Sequence, residues 1–78
     1  MKFTDRQIKA LKPKNVRYEV WEDNGKGFGV RVSPAGRKSF IYMYRFHGNS
    51  RRMTLGVYPE ISLADAHASH AQARHLLE

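Results

Sequence analysis

KSFIYMYRF (residues 38–46) alternates with a period of two: Phe40, Tyr42, Tyr44 and Phe46 share one face, and Ser39, Ile41, Met43 and Arg45 share the other. Successive side chains of a β-strand point to opposite sides. The stretch therefore predicts a strand with an aromatic core face. Its second face, part apolar and part basic, calls for a different explanation.

Working outward, the neighbouring stretches read as partners. VRYEVW (16–21) sets Val16, Tyr18 and Val20 against Arg17, Glu19 and Trp21, and FGVRVS (28–33) sets Phe28, Val30 and Val32 against Gly29, Arg31 and Ser33. RRMTLG (51–56) predicts a short fourth strand, with Met53 and Leu55 on one face and Arg52 and Thr54 on the other. EDNGKG, SPAGRK and HGNS between them carry turn chemistry, the last through Gly48-Asn49. Strands joined by such short loops pair antiparallel as a meander.

Both ends are helical. Thr4 is a plausible N-cap, with Asp5 in the first turn and Ile8 and Leu11 at helical spacing before Pro13 stops the segment. At the other end, Ser62 with Asp65 resembles a capping box. Leu63, Ala66, His70, Ala73 and Leu77 follow at spacings of three and four, with Ala71 and Leu76 alongside. The expected fold is α+β: a three- to four-stranded antiparallel meander packed on one C-terminal helix, with a short N-terminal helix. All four aromatics of 38–46 are expected beneath the long helix, leaving the other sheet face to solvent or a partner.

At 78 residues the chain allows one domain, spanning 1–78, with a thin core. It has no cysteine, hence no disulfide framework and no thiolate metal site, which fits a reducing compartment. No apolar run approaches the roughly 20 residues of a membrane span. The net charge of +7 has a revealing distribution. Between Asp23 and Glu60 there is no acid, but there are Lys26, Arg31, Arg37, Lys38, Arg45, Arg51 and Arg52; elsewhere the charges balance. A basic field confined to one segment, mostly Arg, points to a polyanion, with nucleic acid ahead of a membrane surface.

Catalytic and cofactor chemistry find little support. GKGFG lies between strands and lacks a phosphate-binding fingerprint. His67 and His70 stand three apart on a helix without a third ligand. No serine or tyrosine is visibly paired with a base. The expectation is a non-catalytic chain with no cofactor, metal, membrane or small-molecule substrate.

The second sheet face is then the candidate site. A β-ribbon fits the roughly 12 Å wide major groove of DNA. Ser39, Ile41, Met43 and Arg45 would lie along it, flanked by Arg31, Ser33, Arg52 and Thr54, with Arg37, Lys38 and Arg51 placed at turns for phosphates. Two rival readings are a protein-docking surface centred on Ile41 and Met43, and an RNA-binding sheet. The latter usually exposes its aromatics, whereas these are expected under the helix.

TDRQIKALKP, the glycine-rich strand pair, RMTLGVYPEISLADA and QARHLL together resemble the N-terminal arm-type DNA-binding domain of phage-type tyrosine recombinases, the prophage integrases. The likeness runs over nearly the whole chain, and LGVYPEISLADA carries it most specifically. It implies a sheet face in the major groove of arm-type attachment sites, serving DNA integration and excision. It further implies core-binding and catalytic domains after Glu78, partnership with other integrase protomers or an excisionase-like factor, and a place on the bacterial nucleoid in the cytoplasm. None of Tyr18, Tyr42, Tyr44 and Tyr58 matches the family's nucleophile. Phe40 stands where Trp is usual, and Met43 and His67 stand where Arg is usual.

Overall fold

The computed structural model describes residues 3–23 and 27–77. Its elements are α1 (Asp5–Ala10), β1 (Tyr18–Trp21), β2 (Phe28–Val32), β3 (Lys38–Phe46), β4 (Asn49–Tyr58) and α2 (Leu63–Leu77). The strands form one antiparallel sheet in the order β1-β2-β3-β4. The expected α+β meander is the observed architecture. The centre of the EDNGKG turn, including Lys26, lies outside the described residues, as does the side chain of Leu77.

A six-residue helix has little stability of its own, and α1 is held at both ends. Thr4 Oγ1 accepts the Gln7 N–H at 3.2 Å while Gln7 Oε1 accepts the Thr4 N–H at 3.2 Å, a complete capping box. At the far end Lys38 Nζ donates to the Lys9 carbonyl at 2.9 Å. Between these ties Ile8 is fully buried. It joins Phe3, Phe28, Val30, Val32, Phe40 and Ala66 in the core between sheet and helices. Phe28 sits at its centre, with ring centroids 5.8 Å from Phe3, 5.9 Å from Phe40, 4.6 Å from His67 and 5.2 Å from His70.

Helix α2 begins where Ser62 Oγ accepts the Asp65 N–H at 3.0 Å, as its sequence predicts. Ala66, His70 and Ala73 form its buried side, the two alanines small enough to let the helix lie close to the rings. Ile61 packs where a side chain on Gly56 would stand, so the absence of a Cβ there seats the chain entering α2 against β4. The Tyr58-Pro59 peptide just before it is cis. Ala71 and Leu76 are exposed rather than packed alongside, Leu76 at 76%.

The helix covers less of β3 than the alternation suggested. Phe40 and Tyr42 are buried, Tyr44 is half-buried, and Phe46 is 46% exposed. Alternation reports which face a residue occupies but not how far the covering element extends.

The last hairpin also differs from expectation. Its two loop residues are His47 and Gly48, with φ of 52° and 80°, and Asn49 already pairs with Phe46. Two central residues at positive φ make the type I′ turn that suits the strand twist. β4 is consequently longer than RRMTLG. A register shift opposite Phe40 and Ile41 passes over Leu55, a β-bulge that keeps Leu55 packed toward the core.

Candidate nucleic-acid interface

Cross-strand partners share a face, so the ladder defines the surface opposite α2. It carries Glu19 and Trp21 from β1, Gly29 and Arg31 from β2, Ser39, Ile41, Met43 and Arg45 from β3, and Ser50, Arg52, Thr54 and Val57 from β4. Arg31, Arg45 and Arg52 are thus brought to one side of the sheet, where the sequence pattern put them.

This face has a floor of its own. A Cβ built on Gly29 would stand 2.5 Å from the Trp21 ring, so glycine is what allows the indole to lie down on β2. Arg52 in turn holds its guanidinium 5.9 Å from the Trp21 ring centroid. Ile41, opposite Gly29 on one side and Thr54 on the other, is fully buried yet stands apart from the main core cluster. The expectation that Ile41 is displayed is therefore corrected: it supports the face from beneath. Met43 is 36% exposed and is the apolar residue this strand does present.

Glu19 ties the face together. Its Oε2 accepts from Arg31 Nη2 at 3.0 Å and Nε at 3.3 Å, while Arg52 Nη2 donates to Oε1 at 3.1 Å with its Nε 2.9 Å from Oε2. Partial burial pushes the Glu19 carboxyl upward, but the hydrogen bonds and charges of Arg31 and Arg52 outweigh it and hold the group below its ordinary value. Arg17, Tyr18, Glu19, Arg31 and Arg52 line an open groove of about 380 Å³. Neither Glu19 nor Trp21 was anticipated as part of the site. Their signal was strand parity, which puts both on the face opposite Tyr18 and Val20.

The other expected site residues fall in three places. Arg45 and Thr54 are exposed on this face, and Ser39 is half-buried beside Arg31. Among the described residues no ion pair reaches Arg45. Ser33 and Arg37 lie in the turn before β3, where Ser33 Oγ accepts the Arg37 N–H at 3.0 Å and Arg37 itself is exposed. Lys38 and Arg51 are corrections of placement. Lys38 is the first residue of β3, and it faces the helix side against Val32 and Tyr58 while serving α1. Arg51 pairs with Tyr44 on that same side, its guanidinium 5.3 Å from the Phe46 ring centroid. The earlier start of β4 takes Arg51 out of the turn.

His67 and His70 both pack on the Phe28 ring and otherwise have different neighbours. His67 Nε2 lies 3.1 Å from Glu22 Oε1, whose other oxygen accepts the Phe3 N–H at 2.8 Å. His70 packs edge-on against Tyr42 at 4.9 Å. Among the described residues no group of three or more His, Asp or Glu could hold a metal ion.

The family described as Arm DNA-binding domain matches residues 3–78. The chain is 34% identical over 79 residues to the integrase of Enterobacteria phage P4, covering 99% of the chain and 18% of that protein. It is 31% identical over 75 residues to the prophage integrase IntA of Escherichia coli (strain K12), covering 96% and 18%. The integrase of Shigella phage Sf6 is 36% identical over 64 residues, covering 82% and 16%. The chain thus spans less than a fifth of the length of these relatives.

Proposed function

The chain belongs to the arm DNA-binding domain family, and from that premise we propose that it binds double-stranded DNA at arm-type attachment sites with the sheet face opposite α2 in the major groove. The observation that carries this reading is the gathering of Arg31, Arg45 and Arg52 on one face that α2 leaves uncovered. The β3-β4 hairpin is the part that enters: its outer end projects past the helix cover, and a two-stranded ribbon fits the groove. Arg45, Met43, Ser39 and Thr54 face base edges, while Arg37 outside the sheet takes a phosphate. Ile41 makes no contact and keeps the surface level.

Within a site-specific recombinase such a module binds without cutting, bringing other protomers or an excisionase-like factor together on DNA. The rival docking surface centred on Ile41 and Met43 loses half its substance because Ile41 is buried.

Selection from a random-sequence duplex pool, followed by mobility shifts over a range of salt, tests the reading. A preferred duplex should emerge whose affinity falls with log salt at a slope near −0.9 per phosphate contact. Indifference to duplex sequence, or tighter binding to RNA, would overturn it.

A further inference from the structure

Glu19 is an acid in the middle of a basic face, and its geometry is specific. Each arginine presents the carboxylate with the same edge, the one formed by Nε and Nη2. That leaves the Nη1 end of both guanidiniums unclaimed by Glu19 and directed away from it. A guanidinium is planar and rigid, so fixing one edge fixes the direction of the other. Arg52 is held twice over, by Glu19 and by the Trp21 ring.

The charges point the same way. Two guanidiniums and one carboxylate leave a net of one positive charge, a weaker attraction for phosphate than two free arginines would offer. A group placed here to grip the backbone would be better without the acid. A group placed here to read bases loses little from it and gains fixed direction, because base readout depends on donor geometry.

We infer that Glu19 is a positioning residue that holds Arg31 and Arg52 as a pair of guanine readers, each offering its Nη1 end to the O6 and N7 acceptors of the major groove. This rests on the DNA-binding reading above and deepens it. Bracing by Glu19 marks Arg31 and Arg52 as base readers, whereas Arg37, outside the sheet, takes backbone. Phosphate contacts supply the larger part of sequence-independent affinity, so Glu19 raises discrimination at the expense of general attraction.

The test uses three duplexes: the one enriched by the 78-residue chain from a random pool, the same duplex with guanine replaced by 7-deazaguanine, and a scrambled duplex. The wild type should lose about ten-fold or more in affinity on the 7-deaza duplex, the scale of one good bidentate contact. Glu19→Asp keeps the charge but shortens the reach, and it should lose most of the wild-type difference between the guanine and 7-deazaguanine duplexes. Glu19→Gln should also lose discrimination while binding the scrambled duplex more tightly. A wild type indifferent to the 7-deaza substitution, or a folded Glu19→Asp that keeps its preference, overturns the inference. Should Glu19→Asp fail to fold by circular dichroism, Glu19→Gln is compared with the wild type on the guanine and 7-deazaguanine duplexes, and a Glu19→Gln that keeps the full wild-type difference overturns the inference. A wild type that prefers no duplex sequence overturns the DNA-binding reading itself, a distinguishable failure.

Discussion

Arg52 on β4 meets Glu19 on β1 across the two strands between them, its Nε 2.9 Å from Oε2. Three inter-strand spacings of about 4.8 Å separate their backbones, so both side chains must lie along the sheet. The line between them runs diagonally over the rung of the ladder that holds Trp21, Gly29 and Ile41. One ion pair therefore spans the sheet, with the Arg52 guanidinium also 5.9 Å from the Trp21 ring centroid.

Acid should loosen this arrangement. The Glu19 carboxyl is held below its ordinary value of 4.5 in the folded chain, so its contribution is complete above that value and is lost as pH falls through the lower folded one. Thermal melts from pH 7 to pH 3 should show a decline beginning below about pH 4.5. Glu19→Gln should reduce that dependence, and an unchanged profile in the variant would refute the assignment.

Gly29→Ala should destabilise the fold although it adds a single methyl. The new Cβ would stand 2.5 Å from the Trp21 ring, and overpacking of this kind costs about 1–3 kcal/mol. Urea unfolding followed by Trp21 fluorescence measures both the loss and the displaced indole.

Ile41→Ala separates support from contact. Removing a fully buried isoleucine costs about 2–5 kcal/mol of stability, whereas an exposed docking residue would cost almost none. Chemical denaturation of this variant beside Met43→Ala should show a large loss for the first and a small one for the second.

Arg45→Ala and Arg37→Ala should weaken DNA binding in different ways. Loss of a base-reading arginine costs about 1–3 kcal/mol on the preferred duplex and relaxes specificity, while loss of a phosphate contact weakens all duplexes and lowers the salt slope by about one. Titrations at several salt concentrations distinguish the two patterns, and identical patterns would contradict the assigned roles.

The parts legible in the sequence are those governed by local rules. β3 was readable end to end because nine residues alternate without a break, and α2 because Ser62 and Asp65 mark its start. The site was legible as a face, since parity alone groups Arg31, Arg45 and Arg52. The ion pair centred on Glu19 was not, because it joins the first strand to the last and depends on how the whole sheet assembles. The bulge at Leu55 and the loop at His47 were also missed. A single skipped residue leaves no periodic trace, and histidine at positive φ is a weaker turn signal than Gly-Asn. Ile41 was misjudged for a related reason: its burial depends on the assembled sheet, where it shares a rung with Gly29 and Trp21.

The thinning of cover along β3, from buried Phe40 to the half-open Phe46, divides the hairpin mechanically. Near Phe40 the ladder is clamped between two apolar layers. At the tip, where His47 and Gly48 are exposed, the backbone hydrogen bonds have little packing to defend them. Such regions open at lower free energy than a core, so amide exchange should quicken steadily toward the turn. The domain is in this respect a blade with a stiff root and a compliant tip.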